Sequence, residues 1–142
     1  MKHIFEQQVF YSDTDAYGVV WHGSYLRWLE MGRVCFCEQL GLSLVELKEN
    51  DIVLPVTNLN VRYKASAKLD CKLIIKTKIS KITPLSITFE QTISDKTTNK
   101  LYIQAFVDVV AINNEGKLHR RLPEVLKNAI ESSLYEDELC NV

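Results

Sequence analysis

The sequence predicts an α+β domain in which one antiparallel sheet carries a long buried helix on one face. Three observations predict it. One stretch of helical length, residues 24–40, has no wide polar side. Four strand-length segments lie downstream of it, three alternating apolar and polar residues with a period of two and the last apolar on both faces, and short turn signals separate them. Nothing in the pattern repeats βα units, so the strands are expected to be antiparallel and the helix to sit on one side of them.

Taken in order, Ile4 to Phe10 mixes apolar and polar residues and reads as a strand. After a polar loop, Tyr25 to Leu40 carries Tyr25, Leu26, Trp28, Leu29, Met31, Val34, Cys35, Phe36 and Leu40. Arg27, Glu30, Arg33 and Glu38 are scattered around its wheel, and a helix apolar nearly all round is a buried one. Ser24 is the expected N-cap, and Gly41 stands where helices end. Val53 to Tyr63 alternates, and Pro55 places this strand at a start or an edge. Within Lys72 to Lys81, Leu73, Ile75, Thr77 and Ile79 are expected to face inward. Thr83-Pro84 turns the chain into a strand with Leu85, Ile87, Phe89, Gln91 and Ile93 on one face. Leu101 to Ile112 is apolar on both faces near its middle and is expected inside the sheet. Asn113-Asn114-Glu115-Gly116 is a turn signal, and an amphipathic helix starts at Pro123.

So apolar a helix needs more cover than one flat sheet gives. Either the sheet curls around it or a second subunit helps bury it, and the last strand could pair with its mate across a dimer.

Bulk properties narrow the function. The chain has 142 residues, 46% hydrophobic and 25% charged, which suits a single soluble domain, 1–142. A net charge of −1, from 17 basic and 18 acidic residues, shows no basic excess for nucleic acid. No apolar run is long enough for a membrane span, and the N-terminus lacks the pattern of a signal peptide, so a cytoplasmic location is expected. Cys35, Cys37, Cys71 and Cys140 contain no C-x-x-C pair, and they read as free thiols acting as small apolar residues.

Reactive groups concentrate in Tyr11 to Tyr25, which holds Asp13, Asp15, His22, Gly18 and Gly23. Three roles are open to Asp13-x-Asp15. Both aspartates can form turns and caps before the helix. They could hold a divalent cation, although no phosphate-cradling loop or further ligand accompanies them. Alternatively, one handles water near a carbonyl at the helix start, where unpaired N–H groups suit a developing oxyanion. In that third role donors polarise the carbonyl, and a carboxylate activates water or attacks it. Gly-x-Ser-x-Gly is absent.

The string Tyr-x-Asp-Thr-Asp-x-x-Gly-Val-Val-x-His-x-x-Tyr at Tyr11 to Tyr25 resembles the signature of the 4-hydroxybenzoyl-CoA thioesterase-like family. Its histidine matches the tol-pal-associated branch. The similarity extends over the long helix ending in Gly41, Arg62-Tyr63-Lys64, Asp70, the strand from Thr83 to Ile93 and Arg121-Leu122-Pro123. The resemblance implies a hotdog fold, a curled antiparallel sheet around the helix, with a homodimer or homotetramer as the assembly. It implies hydrolysis of an acyl-CoA or aroyl-CoA thioester, with Asp15 as the catalytic carboxylate and a backbone N–H near His22 as the donor. His22 is a second catalytic candidate, either orienting the thioester or water, or satisfied by the backbone. Candidate substrate-binding residues are Tyr17, Gly18, Val19, Trp21, Tyr25 and Lys64. Tyr25 is expected to pack in the core while offering its hydroxyl, and Lys64, Arg120 and Arg121 are cations available to coenzyme A phosphates. No metal or redox cofactor is implied, coenzyme A being part of the substrate. The chain departs from the pattern at Tyr17, where relatives often carry a small residue, and at Ala65-Ser66-Ala67, where they often place proline. Rival readings are a non-catalytic acyl- or CoA-binding module, hydrolysis of acyl carrier protein thioesters, and a hotdog dehydratase.

Overall fold

A computed structural model describes residues 2–140, with the backbone alone for 135–140. Its elements are β1 (Lys2–Gln8), α1 (His22–Gln39), α2 (Leu44–Glu49), β2 (Val56–Tyr63), β3 (Lys72–Ile82), β4 (Ser86–Asp95), β5 (Leu101–Val110) and α3 (Glu124–Cys140). All strand pairs are antiparallel, in the order β1-β3-β4-β5-β2. Register shifts in β2, in β3 between Ile79 and Lys81, and where β4 meets β5 at Ile93/Ser94 bend the sheet. The helix α1 lies along its inner face, the hotdog arrangement.

The period-two pattern translates directly into burial. Leu73, Ile75, Thr77 and Ile79 of β3, and Ile87, Phe89, Gln91 and Ile93 of β4, are all at most 6% exposed. Leu85 lies before β4 and is exposed. Pro55 precedes β2, which is an edge strand, as its proline predicted.

Four expectations need correction. First, α1 begins at His22 rather than after Ser24, because the Ser24 hydroxyl donates to the Asp13 carbonyl (3.1 Å) instead of capping its own helix. Second, α1 is not covered all round by its own chain. Ser24, Tyr25, Trp28, Leu29, Gly32, Phe36 and Cys37 are buried, whereas Arg27, Glu30, Met31 and Glu38 are exposed. Third, β5 cannot extend the sheet to a second copy, since β4 and β2 already occupy both its edges; the open edges are those of β1 and β2. Fourth, β1 ends at Gln8, and the three-residue 3₁₀ turn Tyr11–Asp13 follows. The sequence reading also passed over α2, whose N-cap is Ser43. The Cys140 thiol lies outside the described side chains, while Cys35, Cys37 and Cys71 are free.

The core divides into two apolar clusters. One gathers Trp28, Leu29, Leu73, Ile93 and Ile103 around the first half of α1, and the other gathers Phe36, Phe89, Val107 and Leu126 around the second. A transverse row of cross-strand partners, His3, Thr77, Gln91, Ala105 and Val61, crosses the sheet, with Ala105 and Val61 belonging to the first cluster. Gln91 donates through Nε2 to the Leu29 carbonyl and to Thr77 Oγ1, both at 2.8 Å, and accepts from Arg33 Nη1 at 3.0 Å. Apolar contact is non-directional, so the hydrogen-bonded group of Gln91, Thr77, Arg33 and the Leu29 carbonyl sets where α1 sits along the sheet.

Gly32 makes that approach possible. A Cβ there would stand 2.8 Å from Thr77 Oγ1, 3.0 Å from Ile75 Cγ2 and 3.1 Å from Gln91 Nε2. Alanine in a helix interior normally gains about 1 kcal/mol over glycine. Here Gly32→Ala should instead destabilise by about 1–3 kcal/mol through overpacking. Urea unfolding measures this, and a midpoint at or above wild type would show that the row can yield.

Candidate active site

The loop before α1 is a small hairpin closed by the Thr14–Val20 bridge. Asp15 N–H donates to the Val19 carbonyl (2.9 Å), and Gly18 N–H donates to the Asp15 carbonyl (3.1 Å). Gly18 has φ +77°, a conformation glycine adopts without strain. The Asp15 carboxylate accepts from Tyr17 N–H through Oδ1 (2.8 Å), which makes an Asx turn at the tip. The sheet side holds the hairpin through the Val19–Lys68 bridge and through Val20 N–H, which donates to the Ala67 carbonyl (2.9 Å).

Asp13 connects this hairpin to the helix. It is 3% exposed, and each of its acceptor oxygens is engaged. Its carbonyl accepts from Trp21 N–H (2.9 Å) and from Ser24 Oγ (3.1 Å). Its Oδ2 accepts from Phe10 N–H (2.9 Å), and its Oδ1 pairs with the Arg27 guanidinium. Asp13 is therefore structural. Asp15 is only partly buried, and its Oδ2 is not committed to a hydrogen bond among the described residues. The two carboxylates thus have separate tasks.

At the start of α1 the first N–H groups lack intrahelical acceptors and carry a partial positive charge. Ser24 N–H closes a tight turn onto the Trp21 carbonyl (2.9 Å), leaving His22 and Gly23 as the leading peptide groups. The Trp21 indole folds over this end: its ring is 5.1 Å from the His22 ring, and a Cβ on Gly23 would overlap it. Glycine at 23 is thus explained by the indole. Such an end offers N–H donors, and the hairpin that leads into it carries a carboxylate with one oxygen uncommitted among the described residues. Together these are the parts that acyl transfer needs.

The structure brings Asp15, Tyr17, Gly18, Val19, Trp21 and His22 to one end of α1. Tyr17 is 90% exposed and Trp21 50% exposed in the single chain. Tyr25 is core: it is 2% exposed, stacks edge-on against Trp28 (5.7 Å) and Tyr63 (5.9 Å), and its hydroxyl oxygen accepts from Ala67 N–H (2.9 Å). Burial holds its phenol above the ordinary pKa, so it stays neutral. Tyr25→Phe should cost about 1–3 kcal/mol, because the buried Ala67 N–H loses its acceptor. Thermal unfolding reads this, and an unchanged midpoint would mean that Ala67 finds another partner.

Lys64 follows Tyr63 at the end of β2, but on the opposite face of the sheet from the Tyr63 ring. It lines a depression on the outer face of the sheet with Asn60, Arg62 and Gln104. Arg121 lines another beside Thr83, Pro84 and Lys127, near the second core cluster. Cys37 is no nucleophile candidate: burial pushes its thiol up to about 11, so it remains protonated. Sequence reasoning missed Arg27 and Tyr63. Arg27 lies one turn after Ser24 on the helix face toward the loop. The Tyr63 hydroxyl reaches the His22 carbonyl (3.4 Å) from the inner face of β2, which its alternation with Val61 already indicated.

Comparison with known proteins bears on the family and the fold. Acyl-CoA thioesterase YbgC of Haemophilus influenzae is 35% identical over 115 residues, covering 80% of this chain and 82% of that one. The crystal structure of the DHNA-CoA thioesterase from Staphylococcus aureus is 28% identical with a TM-score of 0.86, over 99% of this chain and 93% of that one. The 4-hydroxybenzoyl CoA thioesterase from Pseudomonas sp. strain CBS-3 is 25% identical with a TM-score of 0.80, over 92% and 97%. The thioesterase-like superfamily model matches residues 9–130, and the chain belongs to that family.

Proposed function

We propose that this protein hydrolyses an acyl-CoA or aroyl-CoA thioester to the free acid and coenzyme A. The observation that carries the reading is the division of labour between the two aspartates. Asp13 is consumed in holding loop and helix together, while Asp15 keeps an oxygen uncommitted among the described residues on the hairpin that leads into α1. The substrate carbonyl accepts hydrogen bonds from the leading N–H groups near His22, which stabilise negative charge as it develops on oxygen. Asp15 then either removes a proton from water as the water attacks, giving the acid directly, or attacks the carbonyl carbon itself to form an anhydride. Water cleaves that anhydride to the acid and the restored carboxylate. In both routes the carbon–sulfur bond breaks and the thiolate of coenzyme A leaves. His22 orients the thioester or the water.

Tyr17 and Trp21 are exposed in one chain, so the acyl group needs a second wall. A second copy joined along the open β2 edge supplies it, in a homodimer or a dimer of dimers. Free thiols at Cys35, Cys37 and Cys71 suit a cytoplasmic setting. No helix among the described residues is long and apolar enough to cross a membrane.

The test is a panel of short aliphatic, long aliphatic and aromatic CoA thioesters assayed with a thiol-detecting reagent. Release of free coenzyme A from at least one class is expected. Binding of the whole panel without release would instead identify a binding module. A single turnover in labelled water separates the two Asp15 roles: label that enters the aspartate before the product means a covalent anhydride.

A further inference from the structure

Ala67 lies in the connection between β2 and β3, fully buried, and both of its backbone polar groups are engaged. Its carbonyl accepts from Val20 N–H of the hairpin (2.9 Å), and its N–H donates to the Tyr25 hydroxyl (2.9 Å). Tyr25 belongs to α1, three residues after His22, so the two lie on one side of the helix. Val19, next to Val20, accepts from Asp15 N–H through its carbonyl (2.9 Å) and bridges to Lys68. A path therefore runs from Tyr25 through Ala67, Val20 and Val19 to Asp15, with a hydrogen bond wherever it crosses from one segment to the next.

The ring that carries this hydroxyl is itself fixed. Tyr25 is 2% exposed and is held edge-on by Trp28 at 5.7 Å and by Tyr63 at 5.9 Å. Phenylalanine would serve that packing equally well, so the hydroxyl is the part that needs a reason. Its bond to Ala67 joins two buried groups and tolerates only a narrow range of distance and angle. The position of α1 is thus passed to Ala67, and from there to the hairpin, with little play. Asp13 secures the chain that enters the hairpin, through Phe10 and Arg27. Tyr25 secures the chain that leaves it.

We infer that Tyr25 is a positioning residue for the Asp15 carboxylate: its hydroxyl, acting through Ala67 and Val20, sets where the hairpin stands relative to the leading N–H groups of α1. This rests on the reading of the site as a thioester hydrolase and gives Tyr25 a task in it beyond core packing.

Tyr25→Phe keeps the ring and deletes the hydroxyl, and its test reads turnover and amide hydrogen exchange on the same protein. Assays well below the unfolding midpoint keep lost stability out of the rate. The kcat should fall about ten- to a hundredfold with KM changed by less than about twofold, as expected for a reacting group displaced by up to about 1 Å. In the Asp15→Asn background the same substitution should lower kcat by less than about twofold, because a group that acts through Asp15 has no carboxylate left to place. The amides of Asp15, Val20 and Ala67 should exchange about tenfold or more faster than in wild type, while those of Phe89 and Val107 in the sheet change less. Should Tyr25→Phe fail to fold, exchange in the wild-type protein decides. Protection of Val20 and Ala67 equal to that of Leu29 in α1 supports the tie, and exchange at the rate of an open loop overturns it. Three further results overturn the inference: kcat within about twofold of wild type whatever the midpoint, equal fractional losses in both backgrounds, or unaltered exchange of the hairpin amides. A wild-type protein that hydrolyses no thioester of the panel would instead defeat the hydrolase reading, and the exchange comparison would then decide alone whether the hydroxyl holds the hairpin.

Discussion

Asp15→Asn is expected to reduce turnover by about 10²–10⁴-fold while leaving fold, oligomeric state and binding of coenzyme A unchanged, given the usual contribution of a positioned acid–base group. The substitution is nearly isosteric, and the loop should survive it. Asparagine Oδ1 can accept from Tyr17 N–H as the aspartate does at 2.8 Å, and the Gly18 turn uses only backbone groups. What the amide cannot do is take a proton from water or attack a carbonyl as an anion. The loss should therefore appear in kcat, with KM little altered and the unfolding midpoint unmoved. Near-wild-type turnover in this variant would remove Asp15 from the chemistry.

How far the sequence reveals this site depends on the range of the interactions involved. Inward positions of β3 and β4 are readable because alternation is a local property, and Leu73, Ile75, Ile87 and Phe89 are all buried. The neighbours of β5 are not, because apolar residues on both faces report cover above and below the sheet and say nothing about which strand lies alongside. The start of α1 misleads for a related reason. Ser24 has the composition of a cap, but its hydroxyl answers to a carbonyl eleven residues earlier. Helix α2 is only six residues long, too short for periodicity to stand out, although Ser43-x-x-Glu46 marks its first turn. Gln91 shows the limit most clearly. Its position in the alternation puts it inside, yet the reason for a buried amide appears only when Leu29, Thr77 and Arg33 converge on it.

Asp13→Ala should damage the same reaction by a different route, and the contrast with Asp15→Asn is what separates a clamp from a catalyst. Removing the carboxylate strands the Phe10 N–H, which now donates at 2.9 Å, and releases Arg27. Arg27 is 59% exposed, so its ion pair is screened and contributes little by itself. The stability loss, about 1.5–3 kcal/mol, comes mainly from the charge-assisted bond to the backbone. Arg27→Met should accordingly cost less than about 1 kcal/mol. The catalytic effect follows from geometry. Phe10 ends the approach from β1, and Arg27 lies in the second turn of α1, so their shared carboxylate ties the hairpin to the helix end that offers its N–H groups. Loosening that tie misplaces Asp15 relative to the leading peptides, and a displacement of about 1 Å can cost on the order of a hundredfold. Asp13→Ala is therefore expected to lower both the unfolding midpoint and kcat/KM. Asp15→Asn, by comparison, lowers turnover and leaves the midpoint unmoved. If Asp13→Ala lost stability but kept full activity, the hairpin would be positioned by its bonds to Ala67 and Lys68 instead, and the sheet rather than the helix would set the geometry of the carboxylate.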